Sequence, residues 1–296
     1  MKKTLLGSML VTAMLVTGCT TTTSVPPVVV SDTDVTSFTD ISAHISQLNA
    51  RYGTDKVLIV TDIDNTLLTS TSDLGSDIWY QWQAGKLALK PQPDQQVDCL
   101  YADAIGLLYE LAPQQLIEPG TPQLLARWQQ QGNHVVALTA RSPTARAATE
   151  RELARAGMDF TQTPLTTTAN TQLMINGVNE RPYTYLNGIM MTSGQHKGHM
   201  LQTLLDKAGE TFQAIVFIDD SEKNVSHMTE AYESQGNTSL TAFHYTLVEE
   251  RRVAQFGAVL TPQQADTMAS HWQALNRTLN DIYPARDKQG SCLTPL

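Results

Sequence analysis

Val57-Leu58-Ile59-Val60-Thr61-Asp62-Ile63-Asp64-Asn65-Thr66 is an apolar, β-branched run that stops at two carboxylates. Five consecutive residues without polar alternation suit a strand covered on both faces, which is the environment of a parallel sheet. Two further runs have the same character, His134-Val135-Val136-Ala137-Leu138 and Ala214-Ile215-Val216-Phe217-Ile218. Helical patterns stand between and beyond them. Ile41 to Tyr52 carries apolar residues at helical spacing. Pro122 to Gln131 has Thr121 as its expected N-cap and Gly132 just past its end. Helices are also expected over Thr144–Ala156, His199–Lys207, Glu222–Ser234 and Thr261–Ile282, and a strand over Leu240–Tyr245. Residues 158–195, rich in Thr, Asn, Gly and Tyr, read as a strand or hairpin insertion. Strands alternating with helices predict an α/β fold, Rossmann-like, with a mostly parallel sheet covered on both sides. No internal repeat is present.

In such sheets ligands sit at the carboxyl ends of the strands, so the residues following each run are the candidates for chemistry. After the first run, Asp62 and Asp64 are spaced to address one site. Such a pair can hold Mg²⁺, attack phosphorus or protonate a leaving oxygen; an Asx turn with a helix cap would use the same residue types. After the second come Thr139 and Arg141, followed by Ser142 as a helix cap. Thr139 and free backbone N–H groups there can hold a phosphoryl oxygen. Lys197 lies in Gly194-Gln195-His196-Lys197-Gly198 at a helix start, where a cation opposes the helix dipole unless something anionic faces it. Asp219 and Asp220 follow the third run, and adjacent carboxylates there repel unless a cation is near.

The order of these features resembles the four motifs of the haloacid dehalogenase superfamily, over about residues 55 to 250. Ser72–Trp82 (SDLGSDIWYQW) and Asn187–Gly198 (NGIMMTSGQHKG) are further similar to a little-characterised bacterial branch, the family of unknown function DUF2608. The resemblance implies that Asp62 is a nucleophile forming an aspartyl-phosphate. Asp64 would be the general acid and base, with its backbone carbonyl on the metal. Thr139 would bind the phosphoryl group, and Lys197 would neutralise nucleophile and phosphate. Asp62, Asp64 and Asp220 would hold Mg²⁺, with Asp219 and Asn224 in supporting places. Asn224 stands where many relatives carry an acid. Arg141 is left between a contact to substrate phosphate and a surface salt bridge.

Thr139 lies 77 residues beyond Asp62, far more than a tight crossover needs. By the same resemblance, the interval holds an inserted, mainly helical cap at about 70–118. Its Trp79, Tyr80 and Trp82 can stack on a nucleoside or an aromatic leaving group, but such a cluster more often packs a small core, and that reading is preferred. The function expected is Mg²⁺-dependent hydrolysis of a small phosphorylated substrate, in the manner of secreted lipoprotein acid phosphatases. The rivals are a weakly catalytic interaction protein that kept the fold, and a phosphotransferase to an acceptor other than water.

The chain has 296 residues, enough for one large or two modest domains. With 41% hydrophobic and 17% charged residues it is neither disordered nor a multi-span membrane protein. A net charge of −9 argues against nucleic-acid tracking, which needs Lys/Arg stripes. Three cysteines without a CxxC or Cys/His pairing give no zinc signature, and seven histidines without an HxxxH pair read as structural or surface residues. Lys2 and Lys3 precede an apolar run from Leu5 to Val16, too short to span a bilayer but suited to export. It ends Leu15-Val16-Thr17-Gly18-Cys19, which resembles a bacterial lipoprotein cleavage box, so residues 1–18 are expected to be signal and Cys19 the lipid-bearing residue.

Residues 19–37 then read as a tether and 38–296 as the folded domain. The expected location is the cell envelope, lipid-anchored at the outer membrane facing the periplasm. Losing Lys2 and Lys3 takes 20 basic side chains to 18 against 29 acidic ones, a net of −11. In an oxidising compartment Cys99 and Cys292 can pair or stay free. Nothing in the sequence fixes an oligomeric state.

Overall fold

The computed structural model describes residues 28–287, so the export segment, Cys19 and Cys292 lie outside the described residues. The central strands are β2 (Val57–Thr61), β5 (His134–Thr139) and β9 (Ala214–Asp219), with β10 (Ser239–Tyr245) beyond β9. On the β5 side follow β8 (Ile189–Met191), β7 (Pro182–Leu186) and β6 (Ile175–Val178), and the opposite edge is β1 (Val30–Val35). The sheet runs β1-β10-β9-β2-β5-β8-β7-β6. Pairing is parallel from β1 through β8 and antiparallel from β8 to β6. The Thr/Asn/Gly/Tyr-rich stretch is therefore an antiparallel extension of the main sheet.

Period-two alternation divides each apolar run between two layers. Leu58, Val60, Val136, Leu138, Ile215 and Phe217 pack against α6 (Lys197–Ala208) and α7 (Glu222–Glu233). Ile59, Val135, Ala137, Val216 and Ile218 face α1 (Phe38–Tyr52), α4 (Thr121–Gln131) and α5 (Arg146–Arg155). Both faces are dry, which is why these strands carry no polar alternation.

Three local expectations are corrected. Residues 30–35, read as tether from their Val-Ser-Asp-Thr-Asp-Val composition, form edge strand β1. An edge strand is held by backbone pairing to one neighbour, so it needs little hydrophobic content. Thr121 is the first residue of α4 rather than its cap. Gly120 occupies that place, and the Thr121 hydroxyl is buried without a hydrogen-bond partner. The segment before α5 begins as a 3₁₀ turn at Pro143–Ala145, with the Ser142 hydroxyl accepting from the Thr144 N–H, and becomes α-helical only at Arg146. A helix over Leu247–Phe256, α8, was not anticipated.

Between β3 (Leu68–Ser70) and β4 (Gln114–Leu116), which pair antiparallel, stand α2 (Asp77–Gln83), a π-helical turn at Leu100–Ala104 and α3 (Ile105–Leu111). The long C-terminal helix α9 (Pro262–Ile282) packs on this insertion. Trp79 and Trp82 are fully buried among Ala265, Met268 and Ala269, and the Trp79 ring lies 6.1 Å from that of Trp272. Two of the three clustered aromatics are thus core, as preferred from the sequence. Trp79→Ala is expected to cost about 3–5 kcal/mol, read as a lowered urea midpoint. Cys99, with φ 56° ahead of the π-helical turn, is disulfide-bonded and is the sole cysteine among the described residues. Its pairing therefore lies outside them.

Candidate active site

Asp62 continues the ladder one residue past β2, donating its N–H to the Ile218 carbonyl at 2.8 Å. The chain then turns sharply, with Asn65 left-handed at φ 52° and the N–H groups of Leu67 and Leu68 closing back on the Ile63 carbonyl. Asn65 and Thr66 brace the turn. Asn65 Nδ2 donates to Asp77 at 3.3 Å, and Thr66 Oγ1 accepts the Asp220 N–H at 3.1 Å. The Asx-turn chemistry is therefore present and serves to tie three segments to the carboxylate loop.

Lys197 reaches this loop from the first residue of α6. Its Nζ lies 2.8 Å from Asp62 Oδ1 and 2.6 Å from Asp219 Oδ2, and all three side chains are buried. Gly198 lets the helix come this close: a Cβ there would sit 2.4 Å from the His227 carbonyl and 2.5 Å from Ala231 Cβ on α7. His196 rather than Gln195 or Lys197 caps the helix, its Nδ1 accepting the His199 N–H at 3.2 Å. Burial pulls the Lys197 ammonium down, but Asp219 and Asp62 outweigh it and hold it above its ordinary value. The unfavourable helix-dipole position is thus offset by two facing carboxylates. Asp219 Oδ1 accepts from the Ser221 N–H at 2.9 Å and from Asn224 Nδ2 at 3.0 Å, so both Asp219 oxygens are engaged and Asn224 does support it.

Thr139 ends β5 fully buried. Its Oγ1 accepts the Arg141 N–H at 3.1 Å and its carbonyl accepts from Thr192 N–H and Oγ1 at 3.0 and 2.9 Å. Arg141 is not on the surface. Its guanidinium forks onto Asp64, Nη2 to Oδ1 at 2.7 Å and Nε to Oδ2 at 2.9 Å, while Nη1 donates to Thr149 at 3.0 Å. Burial alone would lower this guanidinium, and the Asp64 charge more than reverses that. The Tyr109 ring of α3 covers it, 4.1 Å from ring centre to Cζ, and the Tyr109 hydroxyl lies 3.4 Å from Asp64 Oδ2. Of the two readings left for Arg141, the surface bridge is replaced by a buried one. The side chain missed the surface because Thr149 and Tyr109 enclose it.

Asp62, Asp219 and Asp220 each present a carboxylate oxygen within 4.8 Å of the others. Asp219 thus joins the possible ligand set; the Asp64 side chain is forked on Arg141, and it is the Asp64 backbone carbonyl that the resemblance places on the metal. Burial, with added repulsion from Asp219 and Asp64 that the Lys197 charge opposes, pushes the Asp62 carboxyl up to about 8. Burial and the charges of Asp77, Asp219 and Asp62 hold Asp220 well above the carboxylate range. Asp62 Oδ1 touches the Lys197 ammonium but has no aligned hydrogen-bond donor. Three carboxylates against one ammonium, those of Asp62 and Asp219 buried and that of Asp220 half-buried, all offering oxygen, fit a hard divalent cation.

Nothing in the local sequence marks Asp77, His244 or Tyr109 as part of this site. Asp77 enters from the first turn of α2, where Ser76 caps the helix by accepting the Trp79 N–H at 3.2 Å; Gln81 also donates to its carboxyl. Burial, and then the Asp64 charge, raise it to about 6. An acid in a first turn is favoured by the helix dipole alone, so nothing marked it as facing the carboxylate loop. His244 on β10 contacts the Asp220 carbonyl at 3.2 Å and Asp34 of β1 at 2.8 Å, linking the edge strand to the end of β9.

Residues 34–284 match a family described as a protein of unknown function, DUF2608. The chain belongs to this family. Two relatives carry the description "Putative outer membrane protein". The one from Chlamydia trachomatis is 26% identical over 180 residues, covering 58% of this chain and 62% of its own length. The one from Chlamydia muridarum is 23% identical over 203 residues, covering 66% and 71%. The chain therefore spans about six-tenths to seven-tenths of these relatives. Among solved structures, a class C acid phosphatase from Bacillus anthracis is 14% identical with a TM-score of 0.36, covering 78% of this chain and 87% of that one. A haloacid dehalogenase-like hydrolase from Streptococcus pneumoniae is also 14% identical, with a TM-score of 0.34, covering 69% and 99%. No helix among the described residues is long and apolar enough to cross a membrane.

Proposed function

We propose that this DUF2608 chain is a phosphomonoester hydrolase that works through an aspartyl-phosphate on Asp62, with Mg²⁺ as the cation. The observation that carries the reading is the meeting of Asp62, Lys197, Asp219 and Asp220 at the carboxyl ends of β2 and β9 and the start of α6. Asp62, Asp219 and Asp220 would hold the cation, which when bound supplies positive charge between the carboxylates and the substrate phosphate. Lys197 adds a fixed positive charge beside the attacking oxygen and orients it. Asp62 attacks phosphorus as the bond to the leaving alcohol breaks, and the alkoxide takes a proton from Asp64. Water then attacks the same phosphorus, gives a proton to Asp64, and the bond to Asp62 breaks to release inorganic phosphate. Arg141, forked on Asp64 and capped by Tyr109, positions that acid-base group. Thr139 at the end of β5 is the proposed phosphoryl contact.

Residues 70–118 are proposed to act as a cap over this site, and residues 1–18 as an export signal leaving Cys19 lipid-anchored at the envelope. The descriptions of the chlamydial relatives support an envelope location. The deciding test is hydrolysis of 4-nitrophenyl phosphate by the purified full chain. Activity is expected with Mg²⁺ and should vanish with chelator, returning on readdition. Equal activity in chelator would overturn the metal assignment, and no hydrolysis of any phosphate ester would favour the interaction-protein reading.

A further inference from the structure

Asp220 is gripped through its backbone from two sides. Its N–H donates to Thr66 Oγ1 at 3.1 Å, from the turn that carries Asp62 and Asp64, and its carbonyl lies 3.2 Å from His244 Nε2. A carbonyl only accepts, so Nε2 carries the proton of that bond. The other ring nitrogen, Nδ1, stands 2.8 Å from Asp34 Oδ1 on edge strand β1. Register accounts for the alignment. Asp34 pairs with His244 and His244 with Asp219, one row across the carboxyl ends of β1, β10 and β9. β1 is itself fastened to β10 at both ends, the Leu240 N–H donating to the Val29 carbonyl at 2.8 Å and the Thr246 N–H to the Val35 carbonyl at 3.0 Å.

Packing does not call for an imidazole at this place. Leu240 and Ala242, on the same face of β10, pack in the layer of α6 and α7, while Phe243 and Tyr245 face the other layer. His244 continues the first row past its apolar end, half-buried, with both ring nitrogens engaged. The residue it holds is the exposed member of the carboxylate cluster. Asp220 offers an oxygen within 4.8 Å of those of Asp62 and Asp219, and like charges at that range drive a half-buried carboxylate outward to water. Fixing the Asp220 peptide at its N–H and its carbonyl keeps the side chain in the cluster before a cation arrives, which is the usual task of groups standing behind metal ligands.

We propose that His244 is a positioning residue for the divalent cation: through the Asp220 carbonyl it holds the third carboxylate in its binding place, and Asp34 steadies the imidazole from the edge strand. This role rests on the metal assignment of the hydrolase reading above. It extends the site to β1, whose composition is that of a linker.

The test follows Mg²⁺ binding to the full chain in two ways. One is the Mg²⁺ concentration that gives half of the rise in melting temperature, the other the concentration that gives half-maximal hydrolysis of 4-nitrophenyl phosphate. His244→Phe keeps a ring and removes both hydrogen bonds. It should raise both midpoints about tenfold and change kcat at saturating Mg²⁺ by less than that. His244→Gln, whose amide again offers a donor to the Asp220 carbonyl, should recover most of the shift. Asp34 is exposed, so Asp34→Ala should raise the midpoints only about two- to threefold, and should add nothing in the His244→Phe background. A merely structural histidine would lower the melting temperature in chelator and leave both midpoints in place. Unchanged midpoints in His244→Phe, or a glutamine variant no better than the phenylalanine one, overturn the inference and leave the metal assignment standing. A wild-type chain whose melting temperature does not respond to Mg²⁺ overturns the metal assignment, and the role of His244 falls with it.

Discussion

The Asp62→Asn chain is expected to lose hydrolysis of 4-nitrophenyl phosphate by a factor on the order of 10⁴ to 10⁶, and to melt higher than wild type in chelator. The loss follows from chemistry: an amide cannot form the aspartyl-phosphate, and among the described residues the other carboxylate paired with Lys197 is Asp219, both of whose oxygens are engaged. The gain in stability follows from crowding. Asp62 is buried beside Asp219 and Asp64, with one ammonium shared between it and Asp219. Its folded carboxyl is raised to about 8, so the protonated form is the one that folding favours. That favourable term is complete below the ordinary carboxylate range and is lost as pH climbs from about 4 towards 8. Asparagine does not titrate, so the difference in melting temperature between variant and wild type should widen across that interval. A site that gives up stability for reactivity behaves in this way. Residual activity within tenfold of wild type would remove Asp62 from the nucleophile's role, and a variant that melts lower at pH 8 would contradict the crowding.

How much of this was legible in the sequence depended on whether a side chain's pattern or only its neighbours carried the information. Val57–Thr61 and Ala214–Ile218 announce buried parallel strands because both faces must be apolar, and no other local structure uses a five-residue β-branched run so economically. Asp62, Lys197, Asp219 and Asp220 become visible through position, each falling just past a strand or at a helix start where their charge has no local reason to be. β1 stayed hidden because an edge strand is specified by backbone pairing to Leu240–Tyr245, and Ser31 to Asp34 look like any polar linker. Asp77 and Tyr109 stayed hidden for another reason. Each sits in a short helix where its residue type is already satisfactory, the acid by the dipole and the tyrosine by an amphipathic face. Only the docking of the insertion turns them towards Asp64. Arg141 was found but its role was not, since a guanidinium after a strand fits a phosphate and a carboxylate equally well.

Lys197→Met tests the other half of the charge balance and is expected to lower stability about as much as the loss of a buried tryptophan. Lys197 is fully buried and is, among the described residues, the one cation touching both Asp62 and Asp219. A methionine fills nearly the same volume, so the change removes charge with little change in packing. Two buried carboxylates would then face each other and Asp220 uncompensated, a situation that costs about 3–5 kcal/mol when one partner of a buried pair is removed. For a domain of this size that is a fall of roughly 6–20 °C in melting temperature. The loss should be smaller in Mg²⁺ than in chelator, because a cation held by Asp62, Asp219 and Asp220 takes over part of the missing charge. It should also shrink when Asp219→Asn is added, since the second change removes one of the stranded carboxylates; the two substitutions would then be strongly non-additive. Activity should remain low in every case, because a cation bound among the three carboxylates restores the balance of charge but not the ammonium that orients the Asp62 oxygen. Additive melting shifts in the double variant, together with no protection by Mg²⁺, would mean that Lys197 is not the counterion of this carboxylate cluster.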